Sequence, residues 1–202
     1  MEQTNVSLPT PKQSQTLQRL QTEIISRYGN AQSFANTFSV LQTQRFSRYP
    51  SRCVNGSAPT LWSTEAAYGK NFSTQWLATH LIGLSEYCGA KDKITPYQLQ
   101  VLSNILRNEF GHLKVTEFML FFNYLSSAKW GKIEWGKFDP IVITDMLRKS
   151  FLPLRAEYIE RYEQEQREIA ETEHRKRAIP RPGFLEDVYK KLNASELLHI
   201  NK

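Results

Sequence analysis

The chain has 202 residues, a formal net charge of +6 and a hydrophobic share of 40%, enough apolar side chain for a real core. No run of about 18 apolar residues occurs, which excludes a membrane-spanning helix. The opening MEQTNVSLPTPKQSQT lacks the basic start and apolar stretch of a signal peptide, so a cytoplasmic protein with no membrane partner is expected.

Residues 1–13 are polar, carry Pro9 and Pro11, and read as a disordered arm. Residues 14–48 read as an N-terminal helical pair. Ser14 can cap a helix with Leu17, Leu20, Ile24 and Tyr28 on one face, stopped by Gly29. A second helix from Ser33 would align Phe34, Phe38, Leu41 and Phe46. The segment 49–60, with two prolines and Asn55-Gly56, reads as a linker. This first quarter is markedly basic: Lys12, Arg19, Arg27, Arg45, Arg48 and Arg52 stand against Glu2 and Glu23 alone.

Residues 61–152 read as the helical core domain. Ser73 opens a helix bearing Trp76, Leu77, Leu81, Leu84 and Cys88, closed by Gly89. Thr95-Pro96-Tyr97-Gln98 is a helix start with a capping box: Thr95 at the N-cap, Pro96 at N1 and Gln98 at N3. Gly111 ends that helix. Thr116 can cap the next, and EFMLFFNYLSSA is apolar almost all round, as a central buried helix is. Asp139-Pro140 starts another through Ile143, Leu147 and Phe151. Pro153 then either kinks that helix or begins a new one. Residues 153–178 read as one long charged, exposed helix, and 179–202 as a tail with a short helix. The expected fold is mainly α: a helical bundle of five to eight helices with one short β-hairpin or irregular turn near 129–138.

That turn, KWGKIEWGKFDP, holds two of the four tryptophans, each followed by Gly-Lys. Trp130 and Trp135 could stack on bases while Lys129, Lys132 and Lys137 neutralise phosphate. They could equally fold back over the core, as large aromatics do. A basic cluster, Arg175, Lys176 and Arg177, closes the charged helix; it suits an acidic or phosphate partner, and suits the helix dipole as well. These eight residues are the candidate partner or nucleic-acid contacts.

Catalytic and metal signatures are missing. His80, His112, His174 and His199 share no ligand spacing, and each reads as a core or solvated histidine. Cys53 and Cys88 are far apart, without a C-x-x-C, and read as thiols. There is no glycine-rich phosphate loop and no nucleophile elbow. No cofactor and no enzyme activity are expected. The outline helix–GHLK–helix over 96–128 suggests a helix-turn-helix, but its second helix offers Phe118, Met119, Leu120, Phe121 and Phe122, which cannot read base edges.

The segments LWSTEAAYG, WLATHLIGL, KITPYQLQVLSNIL, LKVTEFMLFFNYLSSAKWGKIEWGKFDPIVI and LPLRAEY together resemble a family of uncharacterised helical proteins encoded by Bacteroidales chromosomes, phages and mobile elements. The shared positions are Glu117, Phe121 and Phe122, the Gly131–Gly136 stretch, Asp139-Pro140 and Ile143. The chain departs from the family in the turn, where Trp130-Gly131 and Trp135-Gly136 replace a tyrosine-glycine pattern. The resemblance implies a compact helical domain in a mobile-element setting and no catalytic residues. The expected function is therefore a non-enzymatic helical adaptor in replication or maintenance of a phage or mobile element. It would bind a protein partner and, through the basic residues, nucleic acid. The alternative is an oligomerising structural or virion-associated protein, with Tyr158 and Tyr162 in a self-interface.

Overall fold

The computed structural model describes residues 11–89, 93–131 and 139–178, with Gly183, Glu186, Asp187, Tyr189 and Lys190 beyond them. The chain divides into two compact units, residues 1–159 and 160–202. The described residues are mainly helical and contain no strand, only an isolated antiparallel bridge between Thr60 and Lys114. Of the turn expected near 129–138, residues 132–138 lie outside the described residues, as do residues 1–10 of the arm expected over 1–13 and most of the tail; the helix expected to be capped by Ser14 already begins at Pro11. Residues 127–130, which enter that segment, form a turn.

Among the described residues the α-helices with defined bounds are, in order, α1 Pro11–Tyr28, α2 Ala31–Thr37, α3 Thr43–Ser47, α4 Pro50–Asn55, α5 Leu61–Tyr68, α6 Phe72–Tyr87, α7 Pro96–Phe110, α8 Val115–Ser126, α9 Pro140–Met146 and α10 Leu152–Ala178. A 3-10 turn, Val40–Gln42, precedes α3, and a π turn, Leu147–Phe151, joins α9 to α10. The core of the first unit is built around α8, whose Phe118, Met119, Leu120 and Phe121 are fully buried. Helices α3, α4 and α6 pack on it, and α7 lies against α6.

Local signals account for most boundaries. Gly29 stops α1 in the left-handed conformation, at φ +77°. Thr95 and Gln98 exchange the two bonds of a capping box at the head of α7. Gly111 follows α7 still in the right-handed region, at φ −62°, and must be glycine for space: a Cβ there would stand 2.0 Å from the Trp62 indole nitrogen. Asp139 caps α9 through the Ile141 N–H, at 2.8 Å. Helix α8 starts at Val115 rather than after Thr116. Glu117 reaches back to accept the Lys114 N–H at 2.6 Å, and Thr116 turns inward to donate to the Cys53 carbonyl.

Two expectations are corrected. Residues 49–60 are not a linker, because Pro50 opens α4 at N1 and Gly56 closes it. Helix α4 buries Cys53 and Val54 and packs against α8, so the N-terminal helices share the main core. The helix expected from Ser33 to Phe46 is broken after Thr37. The reason is tertiary: the Trp76 indole N–H and the His80 Nε2–H, both from α6, each donate to the Phe38 carbonyl at 2.9 Å. That carbonyl would otherwise hold the next helical turn. Pro153 sits in the first turn of α10, immediately after the π turn, whose wider ring accommodates a residue without an N–H.

Candidate nucleic-acid interface

Breaking the second helix places α3 and α4 side by side at one face of α8, and they bring three arginines together. Arg45 from α3, Arg48 from the turn and Arg52 from α4 are all exposed and line one cleft of about 400 Å3. Tyr49 stands in the same cleft, 59% exposed, with the Arg52 guanidinium 5.1 Å from its ring centroid. Phe46, Cys53 and Thr116 complete the lining. The Cys53 thiol donates to the Phe46 carbonyl, and burial, followed by the Glu117 carboxylate, pushes its pKa up to about 12. It stays protonated and unreactive. The cleft therefore offers three guanidinium groups and one exposed aromatic face over an inert floor.

On the other side of α3 lies a second cavity, of about 370 Å3, lined by the 3-10 turn, α3, α6 and α8. His80 borders it, buried between the Trp76 ring at 4.3 Å and a stacked Phe122 ring at 5.3 Å. Burial lowers the His80 pKa to about 4, against the opposing bond to the Phe38 carbonyl. The ring is neutral, its proton lies on Nε2, and Nδ1 is buried without a hydrogen-bond partner.

No protein-family model, curated protein or solved structure matches the chain. The site is therefore read from its own chemistry. Among the described residues no group of three or more His, Cys, Asp or Glu could hold a metal ion. No helix there is long and apolar enough to cross a membrane.

Of the residues singled out from the sequence, Lys129 and Trp130 belong to the first unit and Arg175, Lys176 and Arg177 to the second. Trp130 is half-buried and packs its ring edge-on against Tyr124 at 5.5 Å, with Phe121 and Phe151 close by. It packs against the core with part of its ring exposed. Lys129 is exposed and lays its ammonium over the Tyr124 ring, 3.6 Å from the centroid. Lys132, Trp135 and Lys137 lie outside the described residues. Arg175, Lys176 and Arg177 are exposed in the last turn of α10, where Arg177 pairs with Glu173 one turn earlier. The arginine cleft itself was not singled out. Its signal in the sequence is the basic excess up to Arg52, with Arg45, Arg48 and Arg52 closely spaced.

Proposed function

We propose that the protein is a non-enzymatic helical adaptor that holds the phosphate backbone of a nucleic acid in the Arg45–Arg48–Arg52 cleft and carries it to a protein partner. The observation that carries this reading is the convergence of three exposed arginines and an exposed tyrosine on one cleft. Guanidinium forks suit phosphate oxygens, and a free aromatic face suits a base. The charged, exposed helix over 160–177 supplies a surface for the partner. We propose replication or maintenance of a phage or mobile element as the setting, on the resemblance set out above. An oligomerising structural role draws less support, since the Tyr158 hydroxyl is already bonded to that of Tyr124 at 3.1 Å.

Titration with a generic single-stranded oligonucleotide tests the reading. Three phosphate contacts correspond to a slope of about −2 in log affinity against log salt. The triple substitution R45Q/R48Q/R52Q is expected to remove most of that slope while leaving the helical circular-dichroism signal intact. Unchanged affinity in the triple variant, or no binding by the wild type at low salt, overturns it.

A further inference from the structure

Tyr49 is an exposed aromatic on a fixed joint. Between α3 and α4 its carbonyl accepts the N–H groups of Arg52 at 3.0 Å and Cys53 at 3.2 Å, and its own N–H donates to the Phe46 carbonyl at 3.3 Å. Pro50 follows it and disfavours a helical backbone there. The ring nevertheless stays 59% exposed. Among the described residues it packs on no other ring, and its hydroxyl makes no hydrogen bond. The Arg52 guanidinium stands 5.1 Å from the ring centroid, a contact that steadies the ring and leaves more than half of its surface open. Large aromatics normally bury their area in a core, as Phe34, Phe118, Phe121 and Phe151 do here.

The arginines beside it are unpaired as well. Elsewhere in the first unit Arg107, Arg148 and Arg155 each bind a glutamate carboxylate. Among the described residues Arg45, Arg48 and Arg52 have no such partner, and no Asp or Glu lines their cleft.

Charge and ring favour different forms of nucleic acid. Duplex DNA is the denser polyanion, with one charge per about 1.7 Å of axis, so three arginines acting on charge alone would hold it at least as tightly as a single strand. A ring needs the face of a base. In a duplex those faces are covered by neighbouring base pairs, whereas an unpaired base turns its face to an aromatic side chain or a guanidinium plane. Tyr49 and Arg52 offer both side by side.

We infer that the exposed ring of Tyr49 stacks on an unpaired base of the strand whose phosphates lie against Arg45, Arg48 and Arg52, so that the cleft selects single strands over duplex. The inference rests on the phosphate-holding reading of that cleft and assigns its selectivity to one side chain.

Fluorescence anisotropy on the full chain decides it, with a short oligothymidine, an abasic strand and a duplex, all of equal length. The wild type is expected to bind the oligothymidine about ten-fold tighter than either of the others. Y49A should bring the three affinities together while the salt slope for oligothymidine is kept, since no phosphate contact is lost. Y49W should restore the preference. The three-strand comparison on the wild type stands whether or not Y49A folds. Equal wild-type affinity for oligothymidine and the abasic strand, a duplex held as tightly as oligothymidine, or a preference that survives in Y49A overturns the inference and leaves the arginine cleft standing. No binding of any strand at low salt overturns both.

Discussion

His80 occupies a setting that only the neutral imidazole tolerates. Its folded pKa, about 4, lies below the free value of 6.5, and burial is the main cause. The unfolded chain therefore binds the extra proton first as pH falls. Stability from this group is complete above pH 6.5 and drains away down to about pH 4, a loss of about 3 kcal/mol for a shift of this size. Denaturant melts of wild type and H80F between pH 7 and pH 4 check this: the wild-type curve should fall more steeply. The sequence leaves this histidine core or solvated, because none of the four histidines shares a ligand spacing. Its missing Nδ1 partner was not legible, because it depends on where the Phe38 carbonyl and the Phe122 ring arrive from elsewhere in the chain. Trp130 was half legible. Both roles were open in the sequence, and contact with Phe121, Tyr124 and Phe151 commits it to the core.

At the level of elements, capping chemistry carried the most information. The head of α7 follows from Thr95, Pro96 and Gln98 alone, because those groups satisfy one another locally. Helix α4 was misread because Pro50 and Asn55-Gly56 are at once loop signals and the start and stop of a six-residue helix. Helix α10 was legible in extent, but its anchor was not. Glu117, fully buried at the head of α8, receives the Arg155 guanidinium at 2.5 Å. Asn55 of α4 adds a bond to the Tyr158 carbonyl at 3.1 Å. Removing the cation alone strands a buried carboxylate, so R155M should cost about 3 to 5 kcal/mol. In the double variant E117Q/R155M the glutamine oxygen can still take the Lys114 N–H with no charge left over, and most of that cost should return. A double-mutant cycle by urea unfolding measures it.

For the molecule as a whole, the buried hydrophobic side chains among the described residues belong to the first unit, from Ile24 to Phe151. From Glu160 to Arg177 every residue is exposed, and the ion pairs Glu163–Arg167 and Glu173–Arg177 are surface pairs of little energetic weight. A chain ended after Glu165 should therefore keep its melting temperature within about 3 °C of the full protein, as differential scanning calorimetry would report. A drop well beyond that would mean the second unit supports the core. The mainly helical class was legible because helical periodicity and caps recur along most of the chain. The basic cleft was not, because its three arginines converge only once α3 and α4 have docked on α8.

The π turn at Leu147–Phe151 bears on how such a chain can change length. A π turn holds one more residue than an α turn, so it can absorb an added residue without disturbing either flank. Losing one residue there would give a plain α-helix and keep Ile143 and Arg155 facing the same core. The same loss inside α7 or α8 would rotate everything beyond it by roughly 100°. Pro153, however, depends on the widened turn, since a regular helix would set its ring against the carbonyl four residues back. Single-residue indels at this joint and replacement of the proline are thus coupled events: a lineage that sheds the residue must shed the proline with it.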